Sequence, residues 1–169
     1  IGVTSQQFFA VGDAQEEYEK ILSDVEKIES DRSENNSALS AVQAERKTYA
    51  DYECVPDSFA DFCDTECAAV YLGIIPFDKT AAFTEQMKAL DTAAFRILGN
   101  ASRGEVACVV SYKPEKDKAE TVMSSCGFTR CPIKDDVIAK DKLRELDEKE
   151  EYLKQIGEKI TARACEAAA

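Results

Sequence analysis

Residues 67–76 read Cys-Ala-Ala-Val-Tyr-Leu-Gly-Ile-Ile-Pro, and this short apolar run decides how the middle of the chain folds. An apolar run of this length that ends at a proline predicts a buried β-strand. In the residues that follow, the spacing of the apolar side chains becomes helical: Phe83, Met87 and Leu90 are three or four residues apart. They predict an amphipathic helix over residues 77–90.

The next part of the chain repeats this pattern of strand, proline, helix and aromatic strand. Further strands are predicted over residues 93–98, 105–112 and 128–133. Pro114 opens a second helix at its first turn, where the missing N–H costs nothing, and Gly127 suits the position just past its end. The order β-α-β-β-α-β predicts an α+β fold in which residues 67–134 form a ferredoxin-like lobe.

A long helix is predicted before the lobe. Asp13 is a favourable N-cap, Glu16 completes a capping-box pattern, and no Gly or Pro interrupts residues 13–55. The apolar stripe is narrow, which is typical of a helix that pairs with one partner. The stripe comprises Tyr18, Ile21, Val25, Ile28, Leu39, Val42 and Tyr49, with Arg32, Asn35 and Arg46 as its polar members.

A second long helix closes the chain, with Asp135 or Asp136 as its predicted cap. Residues 13–52 and 135–167 are therefore expected to form an antiparallel two-helix coiled-coil arm, joined to the lobe by a connector over residues 53–66. Residues 1–12 stay unassigned and could be a strand. Since the chain begins without Met and ends in three alanines, we expect an excised piece of a longer protein.

The two stripes also predict a register for the arm. The apolar residues of the two helices face each other when the numbers of paired residues add up to about 185. We expect this register to hold within about one helical turn. Val25 then meets Ile160, and Asn35 faces Glu150. Arg32 against Leu153 is the poorest match.

Composition narrows the possible partners. The net charge is −12, from 33 acidic and 21 basic residues, which disfavours contact with nucleic acid or with an anionic membrane surface. The seven cysteines are odd in number and scattered, unlike a secreted disulfide framework, so a reducing cytosol fits best. The sequence contains neither a secretory signal nor an apolar run long enough to span a membrane.

Residues that carry chemistry are sparse. The chain has no His, no Walker loop and no GxGxxG fingerprint, so we expect no catalytic, cofactor-binding or metal-binding site. Four thiols at Cys63, Cys67, Cys126 and Cys131 could in principle hold zinc, but their spacing and apolar setting favour packing. Four aromatic residues near the first strand of the lobe are expected first of all to pack in the core, and they are also the candidates for a partner-binding patch: Phe59, Phe62, Phe77 and Phe83.

Three stretches resemble a known family. They are residues 70–79 (VYLGIIPFDK), 105–116 (EVACVVSYKPEK) and 124–128 (SSCGF), followed by a long charged helix. Together they resemble the cytosolic part of the membrane subunit of V-type and A-type ATPases, called subunit I or subunit a. The resemblance covers roughly residues 13–166; Cys126 stands where the family usually has Leu, and the cysteine content is unusual.

That resemblance implies a non-enzymatic stator role on the cytoplasmic side of a membrane complex. The lobe would anchor the peripheral stalk, a heterodimer of subunits E and G, to the ion-translocating membrane half of the same subunit, while this segment itself would not touch the membrane. The main alternative is a ferredoxin-like module that senses a small molecule, which rests on fold analogy. A coiled-coil tether of the chromosome-maintenance kind is a second alternative, disfavoured by the acidic charge.

Overall fold

The computed structural model describes the backbone of residues 5–167, and the side chains of residue 15 and of residues 18–166. The chain divides into two units. The helix-pair unit contains the residues up to Ala44 and those from Asp147 onward, and the sheet unit contains Glu45 to Leu146. In chain order the elements are α1 (Ser5–Ala50), β1 (Ala68–Pro76), α2 (Thr80–Lys88), β2 (Ala93–Asn100), β3 (Gly104–Tyr112), α3 (Lys116–Ser125), β4 (Thr129–Arg130) and α4 (Ala139–Ala167). Short 3-10 turns lie at Phe59–Asp61 and Lys113–Glu115.

The sheet unit contains a four-stranded antiparallel sheet in the order β2-β3-β1-β4. Its central pair is long and regular, since Ala68 lies opposite Tyr112 and Pro76 opposite Gly104. The sequence of strands and helices confirms the predicted α+β class and the predicted order of elements. Strand β2 carries one irregularity between Ile97 and Gly99.

The core of the sheet unit lies between one face of the sheet and helices α2 and α3. Alternate residues of β1 and β3 face this core, as expected for strands. Phe83 of α2 lies at its centre, in edge contact with the ring of Phe95 and stacked on that of Phe128. The buried members are Ala69, Tyr71, Ile75, Phe83, Met87, Ala107, Val109, Ala119, Met123 and Cys126.

Helix α3 ends as the sequence predicts. Gly127 has a φ of 69°, a left-handed conformation that side chains disfavour. The N–H of Phe128 donates to the carbonyl of Met123, and the N–H of Gly127 donates to the carbonyl of Ser124. This pair of bonds is a Schellman motif, which satisfies the last carbonyls of the helix and turns the chain toward β4.

The fourth strand is much shorter than the predicted residues 128–133. Only Thr129 and Arg130 are in strand conformation, opposite Ile74 and Gly73. The N–H of Cys131 still donates to the carbonyl of Leu72, but the next residue is a proline, which has no N–H to continue the ladder.

Side chains of the connector close the rest of the outer edge of β1. The N–H of Val70 donates to Oδ1 of Asp64 at 2.9 Å, and the N–H of Ala68 donates to Oγ1 of Thr65 at 3.1 Å. The N–H of Thr65 in turn donates to the carbonyl of Ala68. The backbone groups that β4 does not reach are therefore partly satisfied by a loop.

Both long helices begin elsewhere than predicted. Helix α1 is already continuous from Ser5, so Asp13 is an interior residue and not an N-cap, and the idea of a strand in residues 1–12 is wrong for its described part. It ends at Ala50, two residues before the predicted boundary. Helix α4 begins at Ala139, because the two candidate caps, Asp135 and Asp136, bind hydroxyl groups of other segments.

In the helix-pair unit, early residues of α1 contact late residues of α4, so the two helices run antiparallel. Nε2 of Gln43 donates to Oε1 of Glu150 at 3.1 Å, and Asp31 forms an ion pair with Arg163 at 3.7 Å. These partners have numbers that add up to about 193, so the predicted register is wrong by about two helical turns.

Asn35 and Gly157 account for the observed register. Asn35 is 8% exposed, and a Cβ added at Gly157 would lie 3.1 Å from its Nδ2 atom. Gly157, which has no side chain, is therefore the position on α4 that admits the Asn35 amide. Oδ1 of Asn35 has no hydrogen-bond partner among the described residues. Placing a polar side chain inside a helix interface restricts its register at a cost in stability.

Candidate functional site

A cavity of about 660 Å³ lies at the outer edge of β1, where the connector and α3 meet the sheet. Aromatic side chains of the connector form one wall, and charged side chains of α3 and β4 form another. The residues that matter below are Phe59, Phe62, Tyr71, Lys116, Glu120 and Arg130. The cavity lies beyond the two residues of β4, where the connector and not a strand lies along the edge of β1.

Three side chains form a polar network in this cavity. The hydroxyl of Tyr71 donates to Oε1 of Glu120 at 2.8 Å, and Nη2 of Arg130 donates to the same oxygen at 3.0 Å. The guanidinium of Arg130 also lies over the ring of Tyr71, 4.6 Å from its centroid. The network therefore combines a charge-assisted hydrogen bond with a cation–π contact.

The network shifts two pKa values in opposite directions. Burial, followed by the hydrogen bond to Glu120, raises the pKa of Tyr71 to about 12. The hydrogen bond from Tyr71 and the bond from Arg130 lower the pKa of Glu120. Near neutral pH the cavity thus presents a neutral phenol and an ionised carboxylate held by a cation.

An aromatic cluster fixes the connector behind this cavity. The ring of Phe59 makes edge contacts with Tyr49 and Tyr52, at centroid distances of 5.9 and 6.0 Å. The hydroxyl of Tyr49 donates to Oδ2 of Asp135 at 3.0 Å, and burial together with this bond raises the pKa of Tyr49 to about 12. The hydroxyl of Ser58 donates to Asp136 at 2.8 Å. These two hydrogen bonds connect the residues before β1, Tyr49 and Ser58, to the segment that precedes α4.

The four aromatic residues predicted as a partner-binding patch do not share one surface. Phe83 is fully buried in the core, and Phe59 is 4% exposed inside the aromatic cluster, so both are packing residues. Phe62 is half-buried and lines the cavity, and Phe77 is 55% exposed at the end of β1. A docking role stays a prediction for Phe62 and Phe77.

The cysteines considered as zinc ligands are also separated. Cys126 is buried in the core, whereas Cys63 is exposed in the connector and Cys67 is exposed just before β1. All seven thiols are free. Among the side chains that the structure describes, those of residue 15 and residues 18–166, no group of three or more is suited to holding a metal ion. Burial raises the pKa of the Cys54, Cys108 and Cys131 thiols, which disfavours their reactive thiolate forms.

Sequence analysis missed the network in the cavity. Tyr71 lies inside the apolar run that predicts a strand, and Glu120 is one of only two acidic residues of α3, with nothing in the sequence to link it to Tyr71. The available signal was Arg130, a long cation in a predicted strand that is otherwise short of charge. The contact between α3 and β4 at the edge of β1 can be predicted only when the strand order of the sheet is known. The sequence alone does not give that order.

Several solved chains match this fold, and one of them is described below. It is described as the crystal structure of the cytoplasmic N-terminal domain of subunit I, homolog of subunit a, of V-ATPase. The two chains share 14% sequence identity with a TM-score of 0.51, over 86% of this chain and 50% of that chain. At this identity the likeness concerns the fold alone, and this chain spans half the length of that one. Neither a protein-family model nor a curated protein matches the sequence.

No helix in the described part of the chain is both long and apolar enough to cross a bilayer.

Proposed function

We propose that this chain is a non-catalytic stator element of a rotary V-type or A-type ATPase. In this proposal the sheet unit is a ferredoxin-like lobe, and α1 and α4 form a coiled-coil arm on the cytoplasmic side of the membrane. The lobe binds the peripheral stalk, a heterodimer of subunits E and G, and the arm leads toward the membrane half of the same subunit.

One observation carries the proposal: the fold likeness to the cytoplasmic domain of a V-ATPase subunit I, which extends over 86% of this chain. The likeness includes the lobe together with long helices, and a sheet fold alone would support many functions. The motif resemblance in residues 70–79 and 105–116 points to the same family.

The surface chemistry also supports a holding role. Phe77 is 55% exposed just after β1, and Tyr112 and Val110 of β3 are 51% and 40% exposed toward the other end of the β1–β3 pair, so a partner would have to contact both ends. Exposed aromatic and aliphatic side chains on a rigid sheet are suited to a protein interface. A stator needs stiffness and contact area, and it needs no reacting group.

The test is a calorimetric titration of the chain with a purified E–G heterodimer. We expect saturable binding, weakened about tenfold or more by Phe77→Ala together with Tyr112→Ala. Tyr152→Ala is the matched control, since this ring is 62% exposed on α4 and lies in the other unit. Absence of binding at about 100 μM would overturn the proposal.

A small-molecule sensor is the second candidate, and the cavity beside β1 favours it. Its volume of about 660 Å³ and its mixture of aromatic and charged walls suit a small polar ligand. Thermal unfolding in the presence of a panel of amino acids would distinguish the two functions. A shift that disappears in Arg130→Ala favours the sensor, and no shift with any of the panel leaves the stator as the better account.

A further inference from the structure

The cavity beside β1 differs in charge from the chain as a whole. The chain has a net charge of −12, whereas three cations and only two carboxylates line this cavity. The cations are Lys116, Arg130 and Lys134, and the carboxylates are Asp64 and Glu120. A local excess of positive charge in an acidic protein attracts anions to that place.

Both carboxylates of the cavity already have partners. Glu120 accepts hydrogen bonds from Tyr71 and Arg130. Oδ1 of Asp64 accepts the N–H of Val70, and Nζ of Lys113 lies 3.8 Å from its Oδ2. A cationic ligand would have to displace one of these partners, so the cavity is poorly suited to cations.

The cations of the cavity are less fully used. Neither Lys116 nor Lys134 forms a hydrogen bond or a close ion pair with a described side chain. Arg130 has five N–H donors, and Nη2 is the one nitrogen of its side chain that donates to a described residue. Donors remain for an incoming carboxylate, which can accept two parallel bonds from a guanidinium.

Neighbouring carboxylates do not line the cavity. Those nearest to it in the sequence belong to the connector, to the start of α3 and to the segment before α4, and they are Glu53, Asp57, Asp61, Glu66, Glu115, Asp117, Asp135 and Asp136. Glu115 is paired with Lys118, and Asp135 and Asp136 accept hydrogen bonds from Tyr49 and Ser58. The charges on the lining residues therefore decide which ligands are attracted at close range.

The other wall of the cavity is apolar. The side chains of Phe62, Val70 and Ile133 line it and are half-buried. A volume of about 660 Å³ lies in the usual range for sites that take small organic molecules. A ligand with a ring or a short hydrocarbon chain can cover this wall, and a bare inorganic ion would leave it in contact with water.

We propose that the cavity binds a small carboxylate that has an apolar body. The carboxylate is bound by the guanidinium of Arg130 and by the ammonium groups of Lys116 and Lys134, and the body packs against Phe62. Glu120 is a positioning residue, because it holds Arg130 in place.

This proposal names the ligand class of the second candidate function and does not rest on the stator role. None of the exposed residues assigned to the stalk, Phe77, Val110 and Tyr112, lines the cavity. Stalk binding and carboxylate binding can therefore fail separately.

The experiment uses the whole chain and three molecules with one carbon skeleton. They are 3-phenylpropionate, 3-phenylpropanamide and 3-phenylpropylamine, which end in a carboxylate, a neutral amide and an ammonium group. In an NMR titration we expect the carboxylate to bind with a Kd on the order of 1 mM, and the other two at least about tenfold more weakly. The backbone amide signals of Val70, Leu72 and Cys131, which line the cavity, should shift.

The first variant removes the guanidinium. Arg130→Ala should weaken 3-phenylpropionate about tenfold. Arg96→Ala is the matched control, because Arg96 is an exposed arginine of β2 that does not line the cavity, and it should leave the affinity unchanged.

A second variant keeps the test valid if Arg130→Ala lowers stability. Lys116→Glu with Lys134→Glu should reverse the preference, so that 3-phenylpropylamine binds better than 3-phenylpropionate. Lys79→Glu with Lys88→Glu makes the same change in net charge at exposed positions outside the cavity. That control should keep the original order of affinities.

Four results would overturn the proposal. They are equal affinity for the three molecules, no shift of any cavity amide at about 10 mM ligand, unchanged binding in both variants, and displacement of 3-phenylpropionate by an equal concentration of inorganic phosphate. The last result would show that only negative charge is recognised.

A peptide distinguishes two sources of the ligand. If N-acetylglycylphenylalanine binds as well as 3-phenylpropionate, and its C-terminal amide does not, the ligand class includes the carboxyl terminus of a peptide. If neither peptide binds, the class is restricted to free small carboxylates.

Discussion

The sheet unit and the helix-pair unit are stabilised in different ways. In the sheet unit, large side chains such as Phe83, Ile75 and Val106 are completely buried, and several elements surround each of them. In the helix-pair unit, burial is confined to a thin stripe, where Ile28 and Ile160 remain 9% and 7% exposed. One unit is fixed by many mutually dependent contacts and the other by a few.

This difference explains which expectations were accurate. A sheet core that is out of register by one residue moves every side chain to the wrong face, so only one arrangement fits its apolar pattern. Two helices with one stripe each can slide by whole turns and still match apolar residues. The choice between such registers depends on single residues, here Asn35 and Gly157.

The largest expected effect is in the sheet core. Phe83→Ala removes a ring that contacts Phe95 and Phe128, and should lower the free energy of unfolding by about 3–5 kcal/mol. Ile160→Ala in the helix pair should cost only about 2 kcal/mol, because solvent already reaches its surroundings. Urea unfolding followed by circular dichroism measures both. An equal or larger loss for Ile160→Ala would contradict the contrast between the units.

A smaller effect should come from the tyrosine that ties α1 to the segment before α4. Tyr49→Phe removes the hydrogen bond to Asp135 and should cost about 1–2 kcal/mol at neutral pH. Since the pKa of Tyr49 is raised from 10 to about 12, its contribution is complete below pH 10 and is lost as the pH rises through 12. Between pH 10 and pH 12 the free energy of unfolding should therefore fall less steeply for Tyr49→Phe than for the natural protein. Identical pH profiles for the two proteins would rule out this contribution.

The contact that fixes the register can be measured by a double-mutant cycle. Gly157→Ala raises helix propensity by about 1 kcal/mol, but its Cβ would crowd the amide of Asn35 at 3.1 Å. We expect little gain in the natural background and a gain of about 1 kcal/mol when Asn35→Ala is also present. The same gain in both backgrounds would mean that the two residues do not touch.

The smallest effect is expected in the cavity beside β1. Glu120→Gln weakens the bonds to Tyr71 and Arg130 and should cost less than about 1 kcal/mol, because the network is partly exposed. The pKa of Glu120 is lowered, so the loss should be present near neutral pH and shrink as the pH falls through the folded-state pKa. Thermal unfolding at neutral and acidic pH tests this, and a loss that grows toward acid would contradict it.

The ends of elements were predictable where backbone chemistry is local. Gly127 ends α3 as expected, because its left-handed conformation depends on its own missing side chain. The start of α4 could not be predicted in this way. Asp135 and Asp136 are favourable N-cap residues by type, but they accept hydrogen bonds from Tyr49 and Ser58, which are distant in the sequence. The burial of Phe59 agrees with core packing, but its neighbours could not be predicted, because they are rings that reach it from α1 and from the turn after α1.

The side chain of Asp64 occupies the backbone amide of Val70 at a place where a neighbouring strand would otherwise bind. A chain cut within the connector would present that amide, in a row of apolar residues, to any extended peptide nearby. Exposed edges of this kind template the growth of aggregates. By occupying this amide, Asp64 removes one hydrogen-bond donor that an added strand would need at the edge of β1.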